Sequence, residues 1–246
     1  DGSTDDTEQK IRGIGDERVR YVKQANAGAA AARNLGLSKA RGEVICYLDT
    51  DNYWHPDYLK LVVTTFQQNG GRSALYFDFI DYQVKANGAI DIRSTHRPAF
   101  NHEKLITKPF IDLNTFAHKR ELYDAFGGFD PSLTRRQDYD VMLKYTWLRD
   151  PLHVPLFVAL YQRNENLEQI TQLRKGDDSC IPIINRKIEQ YFSQGLPAPV
   201  QKPVEKVSVI VWDHCRNHFS KPYSVAEALS RRYKVELISF DFFDEG

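Results

Sequence analysis

Apolar and polar positions along the first half of the chain alternate between helical and extended patterns. A helix is expected over 7–14, a strand over 19–23, a helix over 29–40, and then the apolar run Val44, Ile45, Cys46, Tyr47 and Leu48, which has the character of a buried strand. That succession predicts a layered α/β fold. Pro56 suits an early helical turn after Trp54-His55, the apolar positions Leu59, Val62, Val63 and Phe66 mark one helix face, and Asn69-Gly70-Gly71 ends it. A strand over 74–84 follows, and Asn87-Gly88 is a hairpin signal leading into a strand over 90–93. Residues 96–118 are irregular and aromatic, which suits a segment shaping a cleft and equally an ordinary connection. Farther on, Val141, Met142, Tyr145, Trp147 and Leu148 mark an apolar helix, and 152–160 is strand-like.

The pattern breaks after 175. Gly176-Asp177-Asp178-Ser179 forms a loop, 181–193 a helix, and the Pro-rich stretch over 195–203 a linker. A strand over 206–212, an amphipathic helix over 223–233 and a strand over 234–240 then open a βαβ unit. Three regions are expected: an α/β domain over 1–175, a helix and linker over 176–205, and a partial Rossmann-like domain over 206–246.

Composition narrows the function. The chain has 246 residues, 33 basic against 33 acidic side chains and 41% hydrophobic residues, which excludes a disordered or fibrous protein. A formal net charge of zero argues against nucleic acid as a partner, leaving Arg135-Arg136 and Arg231-Arg232 as local patches. Cys46, Cys180 and Cys215 are odd in number and widely spaced, so neither a disulfide framework nor a Cys-rich zinc site is expected, and a reducing cytoplasmic setting fits. No apolar run approaches the length of a membrane span.

Two constellations carry chemistry. The strand over 44–48 ends in Asp49-Thr50-Asp51-Asn52, whose two carboxylates can turn into one cleft, where hard divalent cations share oxygen ligands with a diphosphate. A solvated turn is the competing reading of the same residues. Before it, Asn26-Ala27-Gly28 leads into small residues and the pair Arg33-Asn34. Small side chains let a helix N-terminus approach a ligand closely, and Arg33 can make forked hydrogen bonds to a base carbonyl or a phosphate. An Ala-rich helix packed on the sheet accounts for the alanines but not for Arg33-Asn34. The second constellation is Gln137-Asp138-Tyr139-Asp140 at a helix start, where Asp138 is either a helix cap or a general base taking a proton from an acceptor hydroxyl. Asp49 and Asp51 lie too close in sequence to flank a sugar ring as the carboxylates of a glycosidase do.

With these residues in place the chain resembles glycosyltransferase family 2, the inverting transferases of GT-A fold. Asp1-Gly2-Ser3-Thr4-Asp5-Asp6-Thr7 is similar to the end of the family's "DDGSTDDT", Asn26 to Gly36 to its "NxGxxxARNxG" helix, and Asp49-Thr50-Asp51 to its Asp-x-Asp. Gly127-Gly128-Phe129-Asp130 with Gln137-Asp138-Tyr139-Asp140 is similar to "GGFDxxL…EDxDL", with Gln137 in place of the usual Glu. The resemblance covers roughly residues 1 to 175. It implies a Rossmann-like mixed sheet flanked by helices, a nucleotide-diphosphate sugar as donor, and Mn2+ or Mg2+ held by Asp49 and Asp51. It further implies a donor site of Asp1, Asn26, Gly28, Arg33 and Asp49, and Asp138 as the base, with Asp140 structural. His118 stands where the family often has Arg. His153, on a strand-like run, could complete the metal site of such a fold, and a structural histidine is the favoured reading. Tyr161-Gln162-Arg163-Asn164 resembles the family's "YRxHxxSxT" tail, with Asn164 in place of its basic residue.

Family members have a strand, a helix and a strand before the Asp-Gly-Ser turn, so the resemblance implies an N-terminally truncated fragment. The region over 206–246 is similar, by pattern, to the start of a GT-B transferase of the glycosyltransferase family 4 type, which implies a second transferase domain in the same parent chain. The function implied is transfer of a sugar to a hydroxyl acceptor, glycan or lipid-linked, in polysaccharide, lipopolysaccharide or glycan synthesis, in the cytoplasm and including peripheral association with the inner face of the membrane. A nucleotidyltransferase of similar fold, and a non-catalytic sugar- or nucleotide-binding module, remain the alternatives. The first is not supported by the segment Gly127 to Asp138.

Overall fold

The computed structural model describes residues 6–85, 87–163, 177–196, 198–200, 206–213 and 235–241. In chain order the elements are helix α1 (Thr7–Gly13), strand β1 (Val19–Tyr21), α2 (Ala29–Lys39), β2 (Val44–Asp49), β3 (Tyr53–Trp54), α3 (Tyr58–Gln68), β4 (Ala74–Val84) and β5 (Ile90–His96). There follow α4 (His102–Thr107), β6 (Phe116–Lys119), α5 (Arg120–Phe126), α6 (Gln137–Thr146), β7 (Leu152–Arg163), α7 (Ile181–Gln194), β8 (Val207–Asp213) and β9 (Val235–Asp241).

All strands join one mixed sheet in the order β1-β9-β8-β2-β6-β4-β7-β3, with β5 paired to β4. β6 runs antiparallel to both β2 and β4, while β8, β9 and β1 run parallel to β2, and β7 parallel to β4. The parallel strands therefore all end on the same edge of the sheet, where ligands of open α/β sheets bind.

Alternation along β2 splits the core in two. Ile45 and Tyr47 face a layer built with Ala32 and Leu37 of α2 and Val141, Met142 and Tyr145 of α6. Val44, Cys46 and Leu48 face the other layer, where α3 contributes Leu59, Val62, Val63 and Phe66, the four positions whose spacing marks its apolar face. Cys46 is fully buried, which pushes its thiol up to about 12. Cys46 and Cys180 are both free thiols, and Cys215 lies outside the described residues.

The region over 206–246, expected to open a separate unit, contributes β8 and β9 to this same sheet, between β1 and β2. β8 pairs with β2 from Val44↔Val207 to Asp49↔Trp212. Ser208 Oγ accepts from the backbone N–H groups of Arg41 (3.1 Å) and Gly42 (2.8 Å), and Val209 and Ile210 enter opposite core layers. An open strand edge presents unpaired N–H and C=O groups, and an apolar strand is what satisfies it. The helix expected over 223–233 lies outside the described residues, as does the tail that follows Arg163.

His118 sits on β6 with no exposed surface. Its Nε2 is 2.8 Å from the hydroxyl of Tyr47, and its ring packs against Tyr47 and Tyr145. Burial holds the imidazole down to about 4. The unfolded chain takes up this proton as the pH falls through about 6.5 and the folded protein only near 4, so stability is lost across that window. Relative to His118→Gln, the wild type is expected to lose about 2 kcal/mol between pH 7.5 and pH 5, measured by denaturant unfolding at both values. Comparing the two proteins at each pH cancels the titrations they share.

Candidate functional site

β2 delivers Asp49 to the C-terminal edge of the sheet, and two side chains from distant elements hold it there. Arg33 Nη2 donates to Asp49 Oδ1 at 2.9 Å. Asn114 Oδ1 accepts from the Asp49 backbone N–H at 2.7 Å, while its Nδ2 reaches Asp49 Oδ2 at 3.3 Å. Asn114 is buried and anchored in turn: its backbone N–H and its amide both donate to Asp112 Oδ1 at 2.9 Å, and its carbonyl accepts from Trp54 Nε1 at 2.6 Å. The chain then turns, with Asn52 N–H donating to the Asp49 carbonyl (3.0 Å) and Asn52 Oδ1 accepting from Gln162 N–H on β7 (3.0 Å).

Asp51, half-buried in this turn, lies within electrostatic reach of Tyr82 on β4 and Tyr161 on β7. Burial, with the neighbouring Tyr53 and the negative charge of Asp51, pushes Tyr82 up to about 12. Burial and the charges of Asp112, Asp51 and Asp49 raise Tyr161 further. Asp112 belongs to the same cluster. Desolvation raises its carboxyl to about 7 despite the bonds from Asn114, and the charges of Asp49 and Asp138 add to the effect. Asp49, Asp51, Asp112 and Asp138 thus share one electrostatic neighbourhood, although they come from β2, the turn after it, the segment before β6 and α6. Strongly shifted carboxyls cluster at functional sites, though structural networks shift them as well.

Asp138 is the second residue of α6 and not its cap. The cap position is Arg136, held at φ 58, which is the left-handed region. The capping reading of Asp138 therefore gives way to a carboxylate standing in the first helical turn, half-buried.

The Arg33-Asn34 pair has two separate jobs. Arg33 grips Asp49 and lies over the ring of Phe129, 5.4 Å from its centroid. Asn34 exchanges two hydrogen bonds with the backbone of Phe129, Nδ2 to the carbonyl at 2.8 Å and Oδ1 from the N–H at 2.7 Å. The glycine before Phe129 is required by this contact. A Cβ on Gly128 would stand 2.9 Å from Leu37 Cδ1 and closer still to Asn34 Oδ1. Gly128→Ala is expected to cost about 1–3 kcal/mol of stability, read from the denaturant midpoint, because backbone and helix would have to separate.

Gly28 caps α2 at φ 88, and its N–H meets Asn26 Oδ1 at 3.3 Å. Asn26 is exposed and Gly28 half-buried at the head of the helix, and Arg33, five residues past Gly28, carries the contact to Asp49. Asp1 lies outside the described residues. His118 faces the core and not the cleft. His153 Nε2 bonds the buried Asp78 Oδ1 at 2.7 Å, and its ring stacks on Tyr76. Asp112 and Asn114 did not stand out in the sequence. Their one signal is alternation with Ile111 and Leu113, which places polar side chains between buried apolar ones.

Residues 1–126 match the family model described as Glycosyl transferase family 2. The chain belongs to this family. A family 2 chain thus brings its Asp-x-Asp, Arg-Asn and Gly-Gly-Phe-Asp segments into one contact network, with Asp138 in the same electrostatic neighbourhood. The chain is 30% identical over 151 residues to a chondroitin synthase of Pasteurella multocida, covering 58% of this chain and 15% of that protein. It is 28% identical over 146 residues to a chondroitin synthase of Escherichia coli, covering 58% and 21% respectively. It is 27% identical over 149 residues to a UDP-Glc:alpha-D-GlcNAc-diphosphoundecaprenol beta-1,3-glucosyltransferase of Escherichia coli, covering 60% and 54%. The chain therefore spans about half of that glucosyltransferase and a far smaller part of the synthases.

For a divalent cation the donor set fits in part. Among the described residues no three His, Cys, Asp or Glu side chains converge as a ready-made metal cage. Asp49 and Asp51 supply hard oxygen donors, and the lone pairs of Asp49 Oδ1 and Oδ2 are only partly used by Arg33 and Asn114. Two carboxylates completed by diphosphate oxygens and water are a sufficient set for Mg2+ or Mn2+. No helix among the described residues is long and apolar enough to cross a membrane.

Proposed function

We propose that the protein transfers a sugar from a nucleotide-diphosphate sugar to a hydroxyl acceptor with inversion at the anomeric carbon. The observation that carries the reading is Asp49 at the C-terminal edge of the sheet, gripped by Arg33 of α2 and by Asn114, which Asp112 anchors in turn. Asp49 and Asp51 would hold a divalent cation, Mn2+ or Mg2+, which when bound would supply positive charge against the departing diphosphate. Arg33 fixes Asp49 and adds positive charge beside it. Asn26 and Gly28 at the head of α2, together with Asp1, address the nucleotide. Asp138 accepts the proton of the attacking hydroxyl. Desolvation raises the Asp112 carboxyl to about 7, so it can take up a proton near neutral pH.

The relatives named for chondroitin and for an undecaprenol-linked acceptor support a glycan or lipid-linked acceptor in polysaccharide or lipopolysaccharide assembly. An acceptor carried on lipid would bring the protein to the cytoplasmic face of a membrane. The test is incubation of the purified chain with UDP-sugars, GDP-sugars and dTDP-sugars, Mn2+ and a panel of oligosaccharide acceptors, following release of the nucleoside diphosphate and the anomeric configuration of product. Acceptor-dependent release with inversion supports the reading. Formation of a sugar diphosphate from a nucleoside triphosphate would favour a nucleotidyltransferase instead.

A further inference from the structure

Helix α7, beyond the residues matched to the family, places Lys187 between two carboxylates of the catalytic segment. Its Nζ is 2.6 Å from Asp130 Oδ2 and 2.9 Å from Asp140 Oδ1. Asp130 belongs to the Gly-Gly-Phe-Asp loop, and Asp140 lies two residues past Asp138 on α6. The Asp140 side chain is only 2% exposed, its Oδ2 makes no hydrogen bond among the described residues, and the nearest other cation, Lys144 Nζ, is 4.0 Å away. Asp130 Oδ1 takes two bonds from Ser132, N–H at 2.9 Å and Oγ at 2.7 Å. Burial would raise the Asp130 carboxyl, but the donors from Lys187 and Ser132 outweigh it and hold the group at about 2.

Lys187 does not act alone. Ile184 and Ile188 of α7 pack with Leu133, Tyr139 and Leu143 in a third core cluster. Ahead of α7, Asp177 accepts from Thr134 Oγ1 at 2.8 Å and, through its carbonyl, from Arg135 Nη1 at 3.4 Å. The segment so gripped, 130–140, includes Arg136 at φ 58, a conformation that costs a non-glycine residue about 1–2 kcal/mol and persists only when its surroundings impose it. The direction of Asp138 depends on that turn and on the rotation of α6, and Lys187 ties the loop before the turn to the helix after it.

We propose that Lys187 is a positioning residue for sugar transfer: by bridging Asp130 and Asp140 it locks the turn at Arg136 and fixes the aim of Asp138 at the acceptor hydroxyl. The inference rests on the proposed role of Asp138. A base displaced by about 1 Å costs on the order of 100-fold in rate without loss of donor binding. A purely structural lysine would change stability and leave the turnover of each folded molecule alone.

The test compares Lys187→Met and Lys187→Arg with wild type in the full chain. Three quantities are read: turnover and KM for the donor, UDP affinity with Mn2+, and amide hydrogen exchange over 133–140. Lys187→Met is expected to keep KM and UDP affinity within about threefold, to lower kcat about 10- to 100-fold, and to speed exchange over 133–140, with Lys187→Arg restoring most of kcat. Unchanged kcat per folded molecule, unchanged exchange, or a Lys187→Arg protein no better than Lys187→Met would overturn it. Should Lys187→Met fail to fold, Asp130→Asn keeps the Lys187 to Asp140 pair, and its exchange over 133–140 and kcat decide in the same way. A wild type that binds nucleotide but transfers nothing would refute the role of Asp138, and the exchange result would still judge the lock.

Discussion

Asp138→Asn is expected to lower sugar transfer by about 10²–10⁴-fold while leaving affinity for the nucleoside diphosphate within about twofold. The amide has nearly the shape of the carboxylate, so the first turn of α6 keeps its packing, but it cannot accept the acceptor's proton. Asp138 is half-buried in the first turn, its cap position is taken by Arg136, and its charge is felt by Asp112. The change therefore removes proton acceptance without removing a hydrogen bond or ion pair to any of the described residues. Steady-state kinetics with saturating acceptor, beside a nucleotide titration, separates the two effects. Loss of nucleotide binding in this variant would mean that Asp138 belongs to the donor site, and undiminished transfer would mean that another group is the base.

Asp51→Ala should act on the other half of the reaction. Transfer is expected to fall by at least about 10²–10³-fold, with weakened cation dependence, because the charge building on the diphosphate loses its main counter-ion. Asp51 contrasts with Asp49 here. Asp49 is bonded by Arg33 and Asn114, so its removal would strip Arg33, a buried cation, of this ion pair and would disturb α2 as well as the cation site. Asp51 lies half-buried at the turn, and its truncation leaves the Arg33–Asp49–Asn114 contacts in place, so the melting temperature should fall less than in Asp49→Ala. Kinetics across a Mn2+ series, with a thermal melt of each protein, tests this. Full activity at low Mn2+ in Asp51→Ala would remove the cation from the account.

Much of this architecture was legible because period and punctuation agreed. The strand over 74–84 has the expected bounds, and α3 buries the four positions that its spacing marks. The segment over 96–118 was not legible, because α4 and β6 are short and their signals are mixed. Phe116-Ala117-His118-Lys119 is buried at all four positions, so it shows no alternation, and two of its residues are polar. The same segment hides Asp112 and Asn114. The two conspicuous Asp residues at the end of β2 could be read from the strand that delivers them, whereas the side chains that hold them are fixed by long-range contacts. Asn34 meets Phe129 across 95 residues and Lys187 meets Asp140 across 47, and no local pattern encodes either pairing. Nor did the sequence separate β8 and β9 from an independent βαβ unit, since an apolar parallel strand looks alike in either sheet.

The most direct measurement is calorimetric titration of UDP, GDP and dTDP into the purified, folded chain with and without Mn2+. The account predicts saturable binding of one of these diphosphates that is strengthened by Mn2+. A folded chain that binds none of the three, in the presence or absence of the cation, would contradict it.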